Sequence, residues 1–522
     1  MDSIRLSIFA NRIDAICSEM GVALKKSAFS PNIRDRLDYS CAIFDVNGEL
    51  CAQAAHIPVH LGSMAYAMRD VVSEVDWQNG DMLVLNDPYK GGTHLPDVSV
   101  IAPLFVEDKM MGFVANRAHH ADIGSETPGS MPLSSSLMEE GLVIEPSMIV
   151  RDNQIIQTNF EKIMLKMRNP KESAGDFIAQ VASNRRGLQR LQALILKMGS
   201  NSYIESLAAL NQYAATLANN SLHDIAAGEY CFEDVLDDDG QGNTDIAIKV
   251  KLTITHGLVT ADFSDSAQQV AGNINCPLSV TAAAVYYVFR CLMPPQTPAC
   301  AGSFSNITII AEAGSVVNAC YPAAVAAGNV ETSTRIVDVV LGALAKALPE
   351  KIPAASHGSM NNLAMGSKGD ERHAAWDYYE TIGGGMGASA TSDGLDAVQT
   401  HMTNTLNTPI ESLEMKYPLR IQRYQIRRGS AGKGRHLGGE GLIREYQFLA
   451  PAQVTILSER REHQPWGMSQ TKGGVTPCDG EVSALAGENS LNGERLGAKQ
   501  SFTVASGDVV SIRTAGGGGY DA

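Results

Sequence analysis

The sequence is short of basic residues. Its 41 Lys and Arg stand against 57 Asp and Glu, a formal net charge of −16. Nucleic acid and anionic membrane both demand clustered cations, so neither is an expected partner and an acidic enzyme is. No apolar run approaches the ~18 residues of a membrane-spanning helix. The opening MDSIRLSIFA has an acid at position two and no basic n-region. A cytoplasmic location, with neither signal peptide nor span, is the expectation. The cysteines number nine, an odd count with no CxxC spacing. That argues against a thiolate zinc site and a disulfide framework. Cys41 and Cys51 fall in apolar, strand-like runs and read as small core residues.

Signatures of nucleotide and nucleophile chemistry are missing too. "GSAGKGRHLGGEG" at 429–441 lacks the GxxxxGK[ST] register, and "ETIGGGMGAS" at 380–389 is a tight loop and no dinucleotide fingerprint. No G-x-S-x-G elbow and no helical HExxH occur. "VLDDDGQGN" at 235–243 has Val235 where a calcium loop needs an acid, and no Glu closes it, so it reads as a solvated hairpin turn.

What is present is an ordinary globular chain of 522 residues, 44% hydrophobic, long enough for two or three domains. Residues 3–27 have helical apolar spacing through Ile8, Ile13, Ile16, Met20, Ala23 and Leu24. Residues 40–55 read as a hairpin about an Asn-Gly turn, and 62–74 as helix. "MLVLNDP", "VSVIAPLF" and "GFVANRAHH" read as strands, and 171–217 as two long helices. Phe177, Ile178, Val181, Leu188, Leu191, Leu194 and Ile195 form the apolar face of the first. Strict alternation over 246–254, a His256-Gly257 turn and "LVTADF" predict a second hairpin; helices recur at 279–292 and 333–347. After 410 the chain is strand-like and Gly-rich. The expected class is α+β, a mixed multi-domain chain divided 1–225, 226–410 and 411–522.

Chemistry-bearing residues concentrate early. Five of the 12 histidines (His56, His60, His94, His119 and His120) precede residue 145. "NDPYKGGTHLPDVSV" at 86–100 offers His94 and Asp97 in a turn where Gly91 and Gly92 permit unusual backbone angles. "RAHHADIGS" at 117–125 offers His119, His120 and Asp122 at a strand end, and "RDRLDYS" at 34–40 offers Asp35 and Asp38. Such a mixed N/O set suits zinc, manganese or iron(II) and is too nitrogenous for calcium. Ordinary polar loop residues are the alternative. In "HIPVH" at 56–60, Pro58 excludes a helical i,i+4 pair, though His56 and His60 could line one pocket or be structural.

These segments, with "HIPVHLGSM", "EEGLVIEP", "GDFIAQVASN", "GNINCPLSVTAAAVYY", "AASHGSMNN", "NTPIESLEMKYPL" and "GGEGLIREY", run in order from residue 34 to 446. Together they resemble the hydantoinase B and oxoprolinase family over nearly the whole chain. The resemblance implies an ATP-dependent cyclic amide hydrolase acting on hydantoin, 5-oxoproline or a lactam. In that scheme ATP is held by an A-type subunit, which phosphorylates the substrate, and this chain is the metal-bearing B-type partner in a hetero-oligomer. The ligands it implies are Asp38, His94, Asp97 and His119, holding zinc or manganese. His120, Asp122 and Glu139 are the neighbours expected to handle protons. Two other readings stay open: a component of an ATP-dependent ketone carboxylase, and a non-catalytic scaffold with a structural metal. The chain's shortness beside the carboxylase subunits favours the hydrolase.

Overall fold

A computed structural model describes residues 2–55, 57–369, 375–471 and 474–521. The first sheet is built from β1 (Tyr39–Phe44), β2 (Leu50–Ala55), β3 (Met82–Leu85), β4 (Asp97–Val106), β5 (Lys109–His119), β6 (Ser147–Arg151) and β7 (Gln154–Ile155), in the order β2-β1-β5-β4-β3-β6-β7. Its strands are apolar along both faces because helices cover both. Helices α1 (Ser3–Ser27), α2 (Pro31–Arg34), α3 (Pro58–Ser73), α4 (Leu137–Glu140), α5 (Gln157–Met164), α6 (Pro170–Met198) and α7 (Ser200–His223) accompany it. α1 and α6 bury Ile13, Met20, Phe177 and Leu191 against one face. α3 lays Met64, Met68, Val71 and Val72 on the other, over Leu83, Leu85, Ile101 and Phe113. Ile8 and Ile178, expected on the apolar faces of their helices, are instead 47% and 48% exposed, at the margins of stripes narrower than the periodicity suggests.

The second sheet is β8 (Gly228–Asp238), β9 (Thr244–Thr255), β10 (Leu258–Asp262) and β11 (Ile307–Ile310), in the order β11-β10-β9-β8. His256 and Gly257 both adopt positive φ, 47° and 81°, which is what a two-residue hairpin turn requires. The residue 239–243 turn is not simply solvated: Asp239 is buried and accepts from Gln241 N, Asn243 N and Gly272 N. Helices α8 (Leu278–Leu292) and α9 (Ser333–Ala345) belong to the core beside this sheet, and α8 also packs on α3. A single π-helical turn, Gly328–Thr332, leads into α9. Such turns interrupt the regular ladder and often mark functional positions.

The last third is strand-rich. Strands β12 (Asn362–Ser367) and β13 (Trp376–Glu380) join Ala452–Leu457 and Lys499–Val504 in one four-stranded sheet, a five-stranded sheet packs beside it, and Gly467–Thr471, Gly474–Cys478 and Tyr520–Asp521 form a small third one. The whole is 31% helix and 28% strand, the mixed α and β chain expected. No described helix is long and apolar enough to cross a membrane.

Candidate metal centre

β4 and β5 pair antiparallel with Asp97 directly opposite His119. That register sets a carboxylate and an imidazole side by side. The third group comes from the loop entering β4. Asp87 accepts from Tyr89 N and, through its carbonyl, from Gly92 N, while Gly91 adopts φ 100°. Gly92 lies so close to its own turn that a Cβ there would stand 2.5 Å from Asn86 O and 2.7 Å from Asp87 O. Asn86 ties this loop to its neighbour, donating to Leu95 O and Leu142 O and accepting from Ile144 N. The loop then delivers His94 three residues before Asp97, with Asp97 N donating to His94 O at 3.1 Å.

Among the described residues, His94, Asp97 and His119 form one group whose ligand atoms lie within 4.8 Å of one another, all buried. His94 Nδ1 donates to Ala326 O at 3.1 Å, which leaves the lone pair on Nε2. His94 Nε2, His119 Nε2 and Asp97 Oδ1 are buried without a hydrogen-bond partner. Buried polar atoms rarely go unpaired. Three orphaned donors of this kind, on residues whose ligand atoms lie this close together, fit a bound divalent cation.

The surrounding groups orient these three. Thr93 Oγ1 donates to Asp97 Oδ2 at 2.5 Å and Asn329 Nδ2, from the π-helical turn, at 3.3 Å. His60 Nε2 stands 3.4 Å from the same oxygen. His94 Nε2 lies 3.4 Å from Oδ2 as well, so four groups surround that oxygen while Oδ1 is left without a hydrogen-bond partner. Asn32 Nδ2 lies 3.2 Å from His119 Nδ1, and Arg36 fixes that amide by donating to Asn32 Oδ1. The Tyr379 ring stacks on His119, centroids 4.7 Å apart and planes 6° from parallel. Glu140 accepts from Val325 N and Ala326 N, securing the peptide whose carbonyl receives His94.

The electrostatics follow from this packing. Burial would raise Asp97, but His94 and His60 overcome it and hold the carboxyl well below its usual range. Burial would lower His94, but the Asp97 charge prevails and the imidazole is raised. His119, buried and beside His94, is pushed well down and is neutral. Asp38 is raised to about 6, chiefly by burial and further by Asp97, against the opposing Arg36. Burial likewise lifts Glu140 to about 7.

The structure thus brings His94, Asp97 and His119 together. Asp38 lies beside them, its carbonyl accepting from His119 N, but outside the group of three. His120, Asp122 and Glu139 are not brought to this point. His120 follows His119 and faces the other way, donating from Nε2 towards Gln180 Oε1 at 2.9 Å and packing on Phe177. Asp122 accepts from Gly124 N and Asn169 N. Glu139 is exposed and caps Ser135. His56 lies outside the described residues. Pro58 stands in the first turn of α3, so His60 sits on the helix that follows it. Asn329, Tyr379, Asn32, Arg36 and Glu140 were not singled out as site residues. "RDRLDYS" and "EEGLVIEP" do contain Arg36 and Glu140, but nothing in the sequence signals Asn329 or Tyr379.

With this geometry in place, the comparisons are specific. The family model described as Hydantoinase B/oxoprolinase matches residues 2–522. The chain belongs to that family. It is 37% identical to the 5-oxoprolinase of Dictyostelium discoideum over 532 residues, covering all of this chain and 40% of that one. It is 29% identical to the putative B-type component of a D-/L-hydantoinase from a Pseudomonas strain, covering all of this chain and 90% of that one. Its structure superposes on the ATP-dependent caprolactamase of Pseudomonas jessenii with TM-score 0.91 at 25% identity, over all of this chain and 91% of that one. The chain therefore matches nearly the full length of the Pseudomonas hydantoinase component, and only about two fifths of the 5-oxoprolinase.

Proposed function

We propose that this chain is the metal-bearing part of an ATP-dependent cyclic amide hydrolase. The observation that carries the reading is the grouping of His94, Asp97 and His119, each buried with an unpartnered nitrogen or oxygen, in a member of this family. Those three residues would hold a zinc or manganese ion. Such an ion supplies Lewis acidity and activates water near neutral pH. His60, Thr93 and Asn329 hold Asp97 in place; Tyr379 and Asn32 hold the plane of His119. Asp38, buried and within the electrostatic reach of Asp97, His60 and His94, would take up a proton there as a carboxylate raised to about 6. A longer 5-oxoprolinase carries this region within a single chain, and the present sequence has no P-loop. ATP binding and phosphorylation of the ring amide are accordingly assigned to an A-type partner, which makes the working enzyme a hetero-oligomer.

Reconstitution tests this directly. The chain and an A-type protein from the same genome are assayed together on 5-oxoproline, hydantoins and lactams. Ring opening that needs both proteins and ATP is expected. Ketone- and bicarbonate-dependent ATP hydrolysis would move the chain to the carboxylase class, and full turnover by the metal-free complex would leave only a scaffold.

The electrostatics add an expectation about pH. His94 is held above its ordinary value and Asp38 is at about 6. Below that region the centre carries protons that an incoming cation must displace. Manganese affinity should therefore fall as pH drops, first as His94 takes up its proton above 6.5 and again as Asp38 does near 6, by roughly tenfold per unit for each proton displaced. Calorimetry in buffers of different ionisation enthalpy reads the released protons directly. Affinity and heats independent of pH and buffer would remove these groups from the binding site.

A further inference from the structure

Glu331 takes no part in the chemistry described above, yet its place in the fold is unusual. It sits fully buried on the π-helical turn Gly328–Thr332, with no ion pair among the described residues. The cations that face it are already taken. Lys499 pairs with Glu459, and Arg461 donates to Glu459 O and Asn489 Oδ1. Burial, with Glu459 alongside, pushes the Glu331 carboxyl up to about 8, so the group is neutral at pH 7. Its Oε2 is buried without a hydrogen-bond partner. An acid kept in such a place works against the fold, which points to a use elsewhere.

The other oxygen shows that use. Glu331 Oε1 accepts from Met360 N at 3.1 Å and from Asn362 Nδ2 at 2.6 Å. Asn362 begins β12, and its whole amide is committed. It also donates to Leu457 O at 2.9 Å, and its Oδ1 accepts from the Tyr379 hydroxyl at 2.6 Å. The Tyr379 ring in turn stacks on His119. Two residues before Glu331, on the same turn, Asn329 donates to Asp97 Oδ2. Side chains two apart on a helix diverge, which sends Asn329 and Glu331 to different partners. One turn therefore reaches two of the three donors, Asp97 directly and His119 through Asn362 and Tyr379.

The turn is held firmly enough to transmit position. Gly328 N donates to Asn273 O, and a Cβ on Gly328 would stand 1.8 Å from Asn275 O, so the two backbones lie flush. Thr332 Oγ1 at the other end donates to Ile274 O. We infer that, in the cation site read above from His94, Asp97 and His119, Glu331 is a positioning residue. Its Oε1 locks Asn362, and Asn362 fixes the phenol whose ring sets the plane of His119. The carboxyl works here as a neutral acceptor, so an amide can replace it and an alkyl group cannot.

The test is the Mn²⁺ affinity of the stripped full-length chain, measured by calorimetry at pH 7, with circular dichroism to confirm folding. Glu331→Gln keeps an acceptor oxygen and should bind as the wild type does. Glu331→Leu should lose about 10–100-fold, the usual effect of removing an outer partner from a metal site. Tyr379→Phe keeps the ring and removes only the hydroxyl; it should weaken binding, and in that background Glu331→Leu should matter less than it does alone. A residue that serves only the fold would lower the urea midpoint of Glu331→Leu and leave its affinity unchanged. That result would overturn the inference, as would equal losses in Glu331→Gln and Glu331→Leu, or equal effects of Glu331→Leu with and without the Tyr379 hydroxyl. Should Glu331→Leu fail to fold, full affinity in Tyr379→Phe would overturn it, and weakened binding there beside intact Glu331→Gln would support it. A wild-type chain that binds no Mn²⁺ would remove the centre itself, and the positioning role with it.

Discussion

Asp97→Asn should abolish cation binding at the metal centre and, with it, turnover. The substitution keeps the shape of the side chain, and the Thr93 and Asn329 contacts keep a group to meet. What disappears is the negative charge that acts most strongly on His94 and also faces His60 and Arg117, all of them buried. Loss of an orienting neighbour around a metal typically costs 10–100-fold in affinity; loss of the only carboxylate among the three donors should exceed that, on the order of 10³-fold. The same charge matters to the metal-free fold. Asp97 is held well below its ordinary value, so the stability it contributes is present above the unfolded carboxylate range and is lost as pH falls through the lowered one. Removing one partner of a buried pair costs roughly 3–5 kcal/mol. His94 should respond in a definite direction: without Asp97 the influence that raises it is gone, and burial alone leaves the imidazole neutral. Metal content, thermal unfolding of the stripped chain and turnover in the reconstitution assay proposed above measure the three effects. Wild-type metal content and turnover in this variant would exclude Asp97 from the site.

How much of this was legible in the sequence depends on how locally each contact is encoded. His94 and Asp97 are three residues apart in one Gly-Pro turn, and His119 ends a strand whose apolar pattern is plain. Their meeting needs only the antiparallel pairing of β4 with β5, and those strands were read correctly. α1, α6, α8 and α9 were legible for the same reason, since each is a periodic run that local chemistry starts and stops. The partners that orient the donors are not local. Asn329 lies 232 residues from Asp97, and Ala326 lies the same distance from His94. Tyr379 arrives on a strand of another sheet. No periodicity encodes such distances. The π-helical turn that aims Asn329 is also invisible to a pattern that assumes regular helix.

His120, Asp122 and Glu139 show the opposite limit. Nearness in sequence suggested a shared pocket with His119, but in extended backbone the next side chain points away. Asp122 then spends its oxygens on the amides of its own loop and of Asn169, and Glu139 caps a surface turn. Conversely, Pro58 argued in the sequence against a paired-histidine helix across 56–60, and the same proline begins the helix that carries His60 to Asp97. A helix-breaking residue within a run is a helix-starting one at its edge.

Arg36→Met should damage both fold and site, because one guanidinium ties three parts of the chain together. It is fully buried, donates to Asn32 Oδ1 at 3.2 Å and to Tyr379 O at 2.7 Å, and reaches Thr381 and Thr405. Methionine fills much of the volume but none of those bonds. Hydrogen bonds from a charged donor contribute about 1.5–3 kcal/mol each, and the Tyr379 carbonyl and Asn32 amide would be left unsatisfied. A loss of about 3–5 kcal/mol is expected, read as a lowered urea midpoint. The effect on the site has two routes. The Asn32 amide loses the contact that directs its nitrogen to His119, and the Tyr379 ring loses the cation above it, 4.9 Å from its centroid. Arg36 is also the strongest influence holding Asp38 down against burial, so without it the carboxyl climbs above 6. Manganese binding in Arg36→Met should therefore weaken at neutral pH and recover in part when the pH is raised. Arg36→Lys restores the charge without the planar fork; it should bring Asp38 back towards 6 while leaving much of the stability loss. A variant that is destabilised but binds manganese with the wild-type pH dependence would confine Arg36 to the fold.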